Sequence, residues 1–325
     1  MVKFEEERFL DNVRGALALR GQIEAIVDAA DGQCDNLCWL GIGGTWASCL
    51  QTTVHMKERS AMEVFALNAA EYNTTGDRRV GARTFVVISS VTGTTEEMCT
   101  AVEKLHAAGA RVLGFIDKED SPLAQAVDWC ISFPHNEQLK FFMTADRFMF
   151  LRGEFKDYDR YYAQLDACLP EGLAAAEKAA DEFGRSFAKA HMNDKLHYFV
   201  GAGTLYGATY SYAMCYWVRT KSIHAAEFFH GMLEIVDRDT PVTVFVGEDS
   251  QRELALRVAH FLPKVCDNFC VIDTADYPLE GIDLEYRGNL SHLLMHAVTN
   301  RIDAHLEALS GHDMKLRRYY RQMEY

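Results

Sequence analysis

Short apolar stretches alternate with helical patterns along most of this chain, and the alternating series occurs twice. The first series opens with a predicted strand at residues 36–42 and the second with one at residues 196–200. Each opening strand leads into a glycine turn, Gly-Ile-Gly-Gly-Thr at residues 41–45 and Gly-Ala-Gly-Thr at residues 201–204. Apolar strands separated by helices predict a mostly parallel sheet with helices on both faces. The matching turns, about 160 residues apart, indicate an α/β chain with an internal duplication.

The pattern divides the chain into four predicted parts. Residues 1–30 form an amphipathic N-terminal helix, and residues 31–155 form the first domain. Residues 156–192 contain a linker and a long helix, and residues 193–325 form the second domain with a C-terminal tail. Within this scheme the Tyr-rich and charged segment 153–170 is predicted to be the linker, and the long helix is predicted to run from Glu171 to about His191.

Composition favours a cytoplasmic globular protein. Of the 325 residues, 49% are hydrophobic and 25% are charged, as is usual for soluble domains. The net charge of −14 argues against a nucleic-acid partner, because binding to phosphate backbones needs clustered Lys and Arg. No apolar stretch approaches the roughly 18–20 residues of a membrane span, and the charged N-terminus does not resemble a signal peptide. We therefore expect neither a membrane nor a nucleic-acid partner.

A hydroxyl-rich turn follows the apolar stretch that begins at Phe85. The turn contains Ser90, Thr92 and Thr95 as hydroxyl donors, and Gly93 allows the backbone to approach a ligand closely. A helix N-terminus directly after it would offer unpaired N–H groups to an anion. The turn has no Lys and is therefore not a nucleotide P-loop. The residues fit either a phosphate site for a small metabolite or an ordinary turn with a Thr cap.

The glycine turns do not fit a dinucleotide-binding fingerprint. Trp46 occupies the position at which the third glycine would allow close helix packing. The second predicted strand ends at Asn68, so no acid stands where a ribose would be held.

Together these features resemble the SIS (sugar isomerase) domain family. The two halves each open with Gly-x-Gly-(Gly)-Ser/Thr, and residues 90–95 (Ser-Val-Thr-Gly-Thr-Thr) are similar to the turn with which the family binds a sugar phosphate. Residues 227–231 (Glu-Phe-Phe-His-Gly) and the tail 317–325 resemble the deglycases that act on fructoselysine 6-phosphate or 6-phosphofructose-aspartate. Those deglycases are related to the isomerase half of glucosamine-6-phosphate synthase. The resemblance covers essentially the whole chain.

The resemblance implies two tandem SIS-type three-layer α/β/α domains and a homodimer with a shared active site. It implies cleavage of a fructosamine 6-phosphate to glucose 6-phosphate and an amine through an isomerase-like proton transfer, without a metal or organic cofactor. The implied acid/base residues are His230 and Glu227, although a buried His satisfied by backbone is the alternative for His230. The implied phosphate ligands are Thr45, Ser90, Thr92, Gly93 and Thr95. Further possible substrate contacts are Gly43, Gly44 and Arg321.

The chain departs from these relatives at the catalytic carboxylate. The relatives carry a Glu shortly before the Trp that corresponds to Trp217, whereas here no acid occurs between Leu205 and Ala226. Another acid could serve as the base, with Glu227 the nearest in sequence, or the protein could bind sugar phosphate with little turnover. An aldose–ketose or aminosugar-phosphate isomerase is a further alternative. His292 and His296, one helical turn apart, are expected on a solvated helix face rather than at a metal site.

Overall fold

The computed structural model describes residues 1–215 and 220–316, together with Tyr319 and Met323. The N-terminal part and the first half contain the following elements: α1 (Glu6–Ala18), α2 (Arg20–Ala30), β1 (Asn36–Gly41), α3 (Gly44–Lys57), β2 (Glu63–Asn68), α4 (Ala69–Thr75), β3 (Thr84–Ser90), α5 (Glu96–Ala107), β4 (Arg111–Ile116), α6 (Pro122–Ala126), β5 (Trp129–Ile131) and α7 (Glu137–Leu151). Two helices, α8 (Tyr158–Ala179) and α9 (Asp181–His191), lead to the second half. That half contains β6 (His197–Gly201), α10 (Thr204–Cys215), β7 (Thr220–His224), β8 (Val242–Val246), α11 (Arg252–Phe261), β9 (Phe269–Asp273) and α12 (Leu284–Ser310), with short 3-10 turns at Ala225–Glu227, Met232–Ile235, Leu262–Lys264 and Thr274–Asp276.

The two sheets share one strand order. The first sheet runs β2-β1-β3-β4-β5 and the second runs β7-β6-β8-β9, with parallel pairing throughout. Every residue of β1 and β3 is buried, because helices cover both faces of the sheet. The predicted fold class, two α/β halves with parallel sheets, is confirmed. The strand order reverses between β1 and β3 in the first sheet and between β6 and β8 in the second. Each reversal creates a crevice at the carboxyl ends of these two strands.

Helices α3 and α10 join the two halves. At Gly207 the backbones approach so closely that a Cβ would lie 2.7 Å from the carbonyl oxygen of Ala47. Ala47 and Gly207 are each the fourth residue of their helix, so the first turns of α3 and α10 pack together. None of the helices in the described ranges is both long and apolar enough to cross a bilayer.

Three local predictions were wrong. The leading segment forms two helices that meet at Leu19 rather than one. The predicted linker is largely helical, because α8 already begins at Tyr158 and includes Pro170. Its tyrosines Tyr158, Tyr161 and Tyr162 are buried in the core instead of lying on a surface segment. The sequence also predicts one helix over residues 205–220, whereas α10 is described to Cys215 and the strand β7 begins at Thr220.

Candidate active site

The predicted phosphate residues meet at the crevice of the first sheet. Strands β1 and β3 are hydrogen-bonded neighbours, with Leu40 opposite Ile88, so the turns that follow them lie side by side. The first turn places Gly43 just before α3 and Gly44 in its first position, with Thr45 next. The second turn runs from Ser90 to the start of α5. Two helix N-termini thus open toward the same edge of the sheet, an arrangement suited to an anion.

Gly93 sets the shape of the hydroxyl-rich turn. Its φ is +63°, and a Cβ at this position would lie 1.9 Å from the Oγ of Ser121. The Gly93 N–H donates to the Oγ of Ser90 at 3.0 Å, and the Thr94 N–H donates to the Oγ1 of Thr92 at 3.4 Å. Both hydroxyls accept bonds from their own turn, so each keeps its proton to donate to a ligand. The turn is held in shape before any ligand arrives.

Thr95 occupies the N-cap position of α5 without capping it. Its backbone is extended, and its side chain accepts no hydrogen bond from the first turn of this described helix. The alternative interpretation, an ordinary turn closed by a Thr cap, is therefore wrong for Thr95. The Met98 N–H donates to the Thr95 carbonyl at 3.1 Å, whereas the N–H groups of Glu96 and Glu97 have no hydrogen-bond partner among the described residues and remain as donors for an anionic group.

Glu137 is a carboxylate at this crevice that the sequence did not predict. The Oγ1 of Thr45 donates to the Oε2 of Glu137 at 2.9 Å, and Glu137 is the first residue of α7. Its partner is 92 positions away in the sequence, so no local motif signals the contact. One turn later the buried Lys140 donates from Nζ to the Phe133 carbonyl at 2.6 Å.

A second acidic residue, the half-buried Asp117, lies beside this lysine. Asp117 directly follows β4, and its N–H donates to the Ser90 carbonyl at 3.1 Å. Burial raises the pKa of Asp117, although the nearby Lys140 opposes that shift. Burial likewise lowers the pKa of Lys140, while Asp117 and Glu137 act in the opposite sense. The floor of the crevice therefore combines one buried ammonium with two carboxyl groups.

The predicted acid/base residues belong to the second half of the chain. Glu227 and His230 follow β7 in the second half, and both are exposed. The alternative of a buried His230 is therefore wrong, whereas Phe228, two residues earlier, is fully buried. In the part of the chain that the structure describes, no hydrogen bond or ion pair joins the side chain of Glu227 or His230 to the first crevice. Arg321 and the residues just before and at Trp217 lie outside the described residues.

In the corresponding crevice of the second half, a side-chain carboxylate occupies the place beside the glycine turn. Thr204 follows the second glycine turn, and both its N–H and its Oγ1 donate to the Oδ2 of Asp249, at 2.9 and 2.7 Å. The Gln251 N–H donates to the other carboxylate oxygen at 3.0 Å. Three bonds thus fix the Asp249 carboxylate where the first half has an open turn.

His292 contradicts the expectation of a solvated helix face. It is 3% exposed and stacks on Phe142 at 4.0 Å between ring centroids. Neither ring nitrogen has a hydrogen-bond partner among the described residues, and burial lowers the pKa of His292 to about 3. His296, one turn later, is exposed.

Comparisons with known proteins agree with the predicted family. Residues 33–145 match the family model described as SIS domain. The fructosamine deglycase FrlB of Bacillus subtilis is 26% identical, over 94% of this chain and 97% of that protein. The fructoselysine 6-phosphate deglycase of Escherichia coli K12 is 26% identical, over 85% of this chain and 83% of that protein.

Solved structures show the same fold over nearly the whole chain. A Bacillus subtilis protein that carries the name phosphosugar isomerase matches with a TM-score of 0.89 and 24% identity, over 96% of this chain and 99% of that one. The C-terminal domain of the glucosamine-fructose-6-phosphate aminotransferase of Francisella tularensis matches with a TM-score of 0.79 and 12% identity, over 95% of each chain. The SIS domain model thus matches the first half of the chain, and the relatives named deglycases align along both halves.

Proposed function

We propose that this protein cleaves a fructosamine 6-phosphate to glucose 6-phosphate and an amine or amino acid. The observation that carries the proposal is the open hydroxyl-rich turn at the strand-order reversal of the first sheet. Its geometry suits a phosphoryl group, because hydroxyls and two helix N-termini face one crevice. The relatives named deglycases align over most of their own length, which supports the same reaction here.

The crevice would hold the phosphate through neutral donors. Ser90, Thr92 and Thr95 would donate hydroxyl bonds, the Gly93 segment would bring the backbone close, and Thr45 would donate from the neighbouring turn. Hydrogen bonds to a charged group contribute about 1.5–3 kcal/mol each. Several such donors supply useful affinity without a lysine, and they leave the sugar carbons extending along the crevice.

His230 would transfer protons during the reaction. The ketosamine must lose a proton from C1 and gain one at C2, which gives an imine that water cleaves. An imidazole changes its charge near neutral pH and suits this task. Because His230 and Glu227 are exposed and lie apart from their own crevice, we propose that a homodimer brings them to the partner's crevice. We propose that the enzyme works in the cytoplasm.

Turnover of two defined substrates tests the function. The protein is incubated with fructoselysine 6-phosphate and with 6-phosphofructose-aspartate, and release of glucose 6-phosphate is measured. We expect release from at least one substrate and a kcat about 100- to 10,000-fold lower for His230→Ala, the usual range for losing a general acid or base. Ser90→Ala combined with Thr92→Ala should mainly raise KM. Tight hexose phosphate binding without any turnover would contradict the proposal and favour a sugar-phosphate sensor.

A further inference from the structure

The proposed reaction needs a base that moves a proton from C1 to C2 of the substrate. No acid occurs between Leu205 and Ala226, and Glu227 lies exposed in the second half. The first crevice, however, contains a carboxylate in direct contact with a predicted phosphate ligand. Thr45 donates to Glu137 at 2.9 Å, and Glu137 is only half-buried.

We propose that Glu137 is the base that moves the proton from C1 to C2 of the substrate. The inference rests on the proposed function, because it assigns a residue to that same reaction. Glu137 would touch the reacting carbons only after the phosphate has taken over Thr45. The contact with Thr45 is thus the resting position of a mobile carboxylate.

Comparison of the two halves shows why Glu137 can leave Thr45. In the second half the Asp249 carboxylate accepts three hydrogen bonds, two of them from backbone N–H groups. In the first half, a single hydrogen bond from the Thr45 hydroxyl holds Glu137 in the described part of the chain. A phosphate that also bonds to the turn at residues 90–95 can replace a carboxylate held by one bond. The same exchange at Thr204 would break two of the three bonds, because Thr204 donates through both its N–H and its Oγ1.

Charge determines the direction in which Glu137 would move. A phosphate and a carboxylate that share one hydroxyl repel each other, so phosphate binding drives the Glu137 side chain away from Thr45. Glutamate has three side-chain torsions and can swing without a change in α7. The reacting carbons C1 and C2 lie at the opposite end of the hexose from the phosphate. Movement away from the phosphate along the crevice therefore brings the carboxylate toward the carbons where the base is needed.

The surrounding charges suit a base at this position. Lys140 lies one turn after Glu137 with its ammonium group buried under the crevice, so a positive charge offsets part of the negative charge introduced by the substrate. Glu137 is also the first residue of α7, where the positive end of the helix dipole attracts a negatively charged side chain.

The proton transfer balances with the groups named. The Glu137 carboxylate removes a proton from C1, the C–H electron pair forms the C1–C2 double bond, and the C2 carbonyl oxygen takes a proton from the imidazolium of His230. The Glu137 carboxyl group then returns its proton to C2, and the nitrogen lone pair forms the C1–N double bond of a protonated imine. Water adds to C1, the amine leaves, and the proton released from that water restores His230.

The test compares Glu137→Gln with a matched surface control, Glu103→Gln, in the full-length protein. Glu103 is exposed on α5, outside the proposed binding and acid/base residues. We expect Glu137→Gln to lower kcat at least about 100-fold and Glu103→Gln to leave it unchanged. Loss of deuterium from C1 of a C1-deuterated substrate, followed by NMR, should slow by the same factor. Glu137→Asp should recover part of the rate.

A binding measurement separates a base from a purely structural residue. Calorimetric titration with inorganic phosphate should show binding at least about threefold tighter for Glu137→Gln than for the wild type, because the variant removes a like charge. Unchanged or weaker phosphate binding would overturn the displacement argument. A kcat within about threefold of wild type, or a comparable loss only in Glu227→Gln, would overturn the role of Glu137 as base. If the wild type releases no glucose 6-phosphate, the proposed function fails, and the phosphate titration still tests the position of Glu137.

Discussion

Replacing Gly93 by alanine should damage both the stability of the first half and its proposed phosphate site. The φ of Gly93 is +63°, and an L-residue in this left-handed region costs about 1–2 kcal/mol. The new Cβ would also lie 1.9 Å from the Oγ and 2.4 Å from the Cβ of Ser121, so backbone or side chain must shift. Overpacking of this kind typically costs about 1–3 kcal/mol. Together the two contributions predict a loss of about 2–5 kcal/mol in the free energy of unfolding.

The chain provides a control that isolates the backbone contribution. Gly32 has a φ of +72°, and a Cβ added there would have no atom within 4 Å, so Gly32→Ala should cost only about 1–2 kcal/mol. Urea denaturation followed by circular dichroism measures both variants. Combining Gly93→Ala with Ser121→Gly should bring the loss close to that of Gly32→Ala, since Ser→Gly at an N-cap costs only a few tenths of a kcal/mol.

Binding provides the second measurement for the Gly93 variant. A displaced turn moves the hydroxyls of Ser90 and Thr92, so the affinity for glucose 6-phosphate should fall in Gly93→Ala and not in Gly32→Ala. Equal unfolding free energies for the two alanine variants would refute the steric argument. An unchanged affinity in a destabilised Gly93→Ala protein would refute the assignment of this turn to phosphate.

Three further perturbations test other parts of the structure. Asp249→Ala removes the internal anion beside Thr204, so added inorganic phosphate should raise the thermal midpoint of this variant more than that of the wild type; an equal rise would contradict this. Burial lowers the pKa of His292 from 6.5 to about 3, so the unfolded state takes up a proton at a higher pH than the folded state does. The free energy of unfolding should therefore fall by about 1.4 kcal/mol per pH unit as the pH decreases from 6.5 toward 3. His292→Leu should flatten that dependence in urea titrations at pH 7 and 5, and equal slopes would disprove it. The fully buried Asp146 accepts from the Tyr162 hydroxyl at 2.7 Å, so Asp146→Ala should cost about 3–5 kcal/mol and Tyr162→Phe only about 1–2 kcal/mol, and a reversed order would contradict the network.

The sequence predicts the buried strands well, but it misses the edge strand β7. All seven residues of β3 are buried, and their apolar β-branched run indicates a buried strand. In the edge strand β7 only Ile223 is buried, so its sequence carries no strand pattern. The internal duplication could have indicated a strand at β7, because β7 occupies the place in the second sheet that β2 occupies in the first. The tyrosines of α8 mislead for the opposite reason, since their polar tips suggest a surface segment although their rings fill the core.

In the candidate site, residues within one continuous segment could be predicted from the sequence, whereas contacts between distant residues could not. The turn from Ser90 to Thr95 is one continuous segment, so its hydroxyls and glycine could be identified from the residues alone. Glu137 reaches Thr45 across 92 positions, and Asp249 reaches Thr204 across 45. Such contacts follow from strand order and helix placement, which no local pattern specifies. The roles of His230 and Glu227 stay predictions, because their side chains do not meet the crevice within the described protomer.

The two crevices show how one duplicated scaffold can acquire two different uses. Each half places a threonine after a glycine turn, and each threonine hydroxyl donates to a carboxylate. The turns after the equivalent strands β3 and β8 differ in charge: the first contains only hydroxyls, glycine and one valine before α5, whereas the second contains Glu248 and Asp249. A crevice that supplies its own fixed negative charge repels a phosphate, while one whose carboxylate is held by a single bond can exchange it. Calorimetric titration with glucose 6-phosphate should therefore give one site per protomer, and two equivalent sites would show that Asp249 does not close the second crevice.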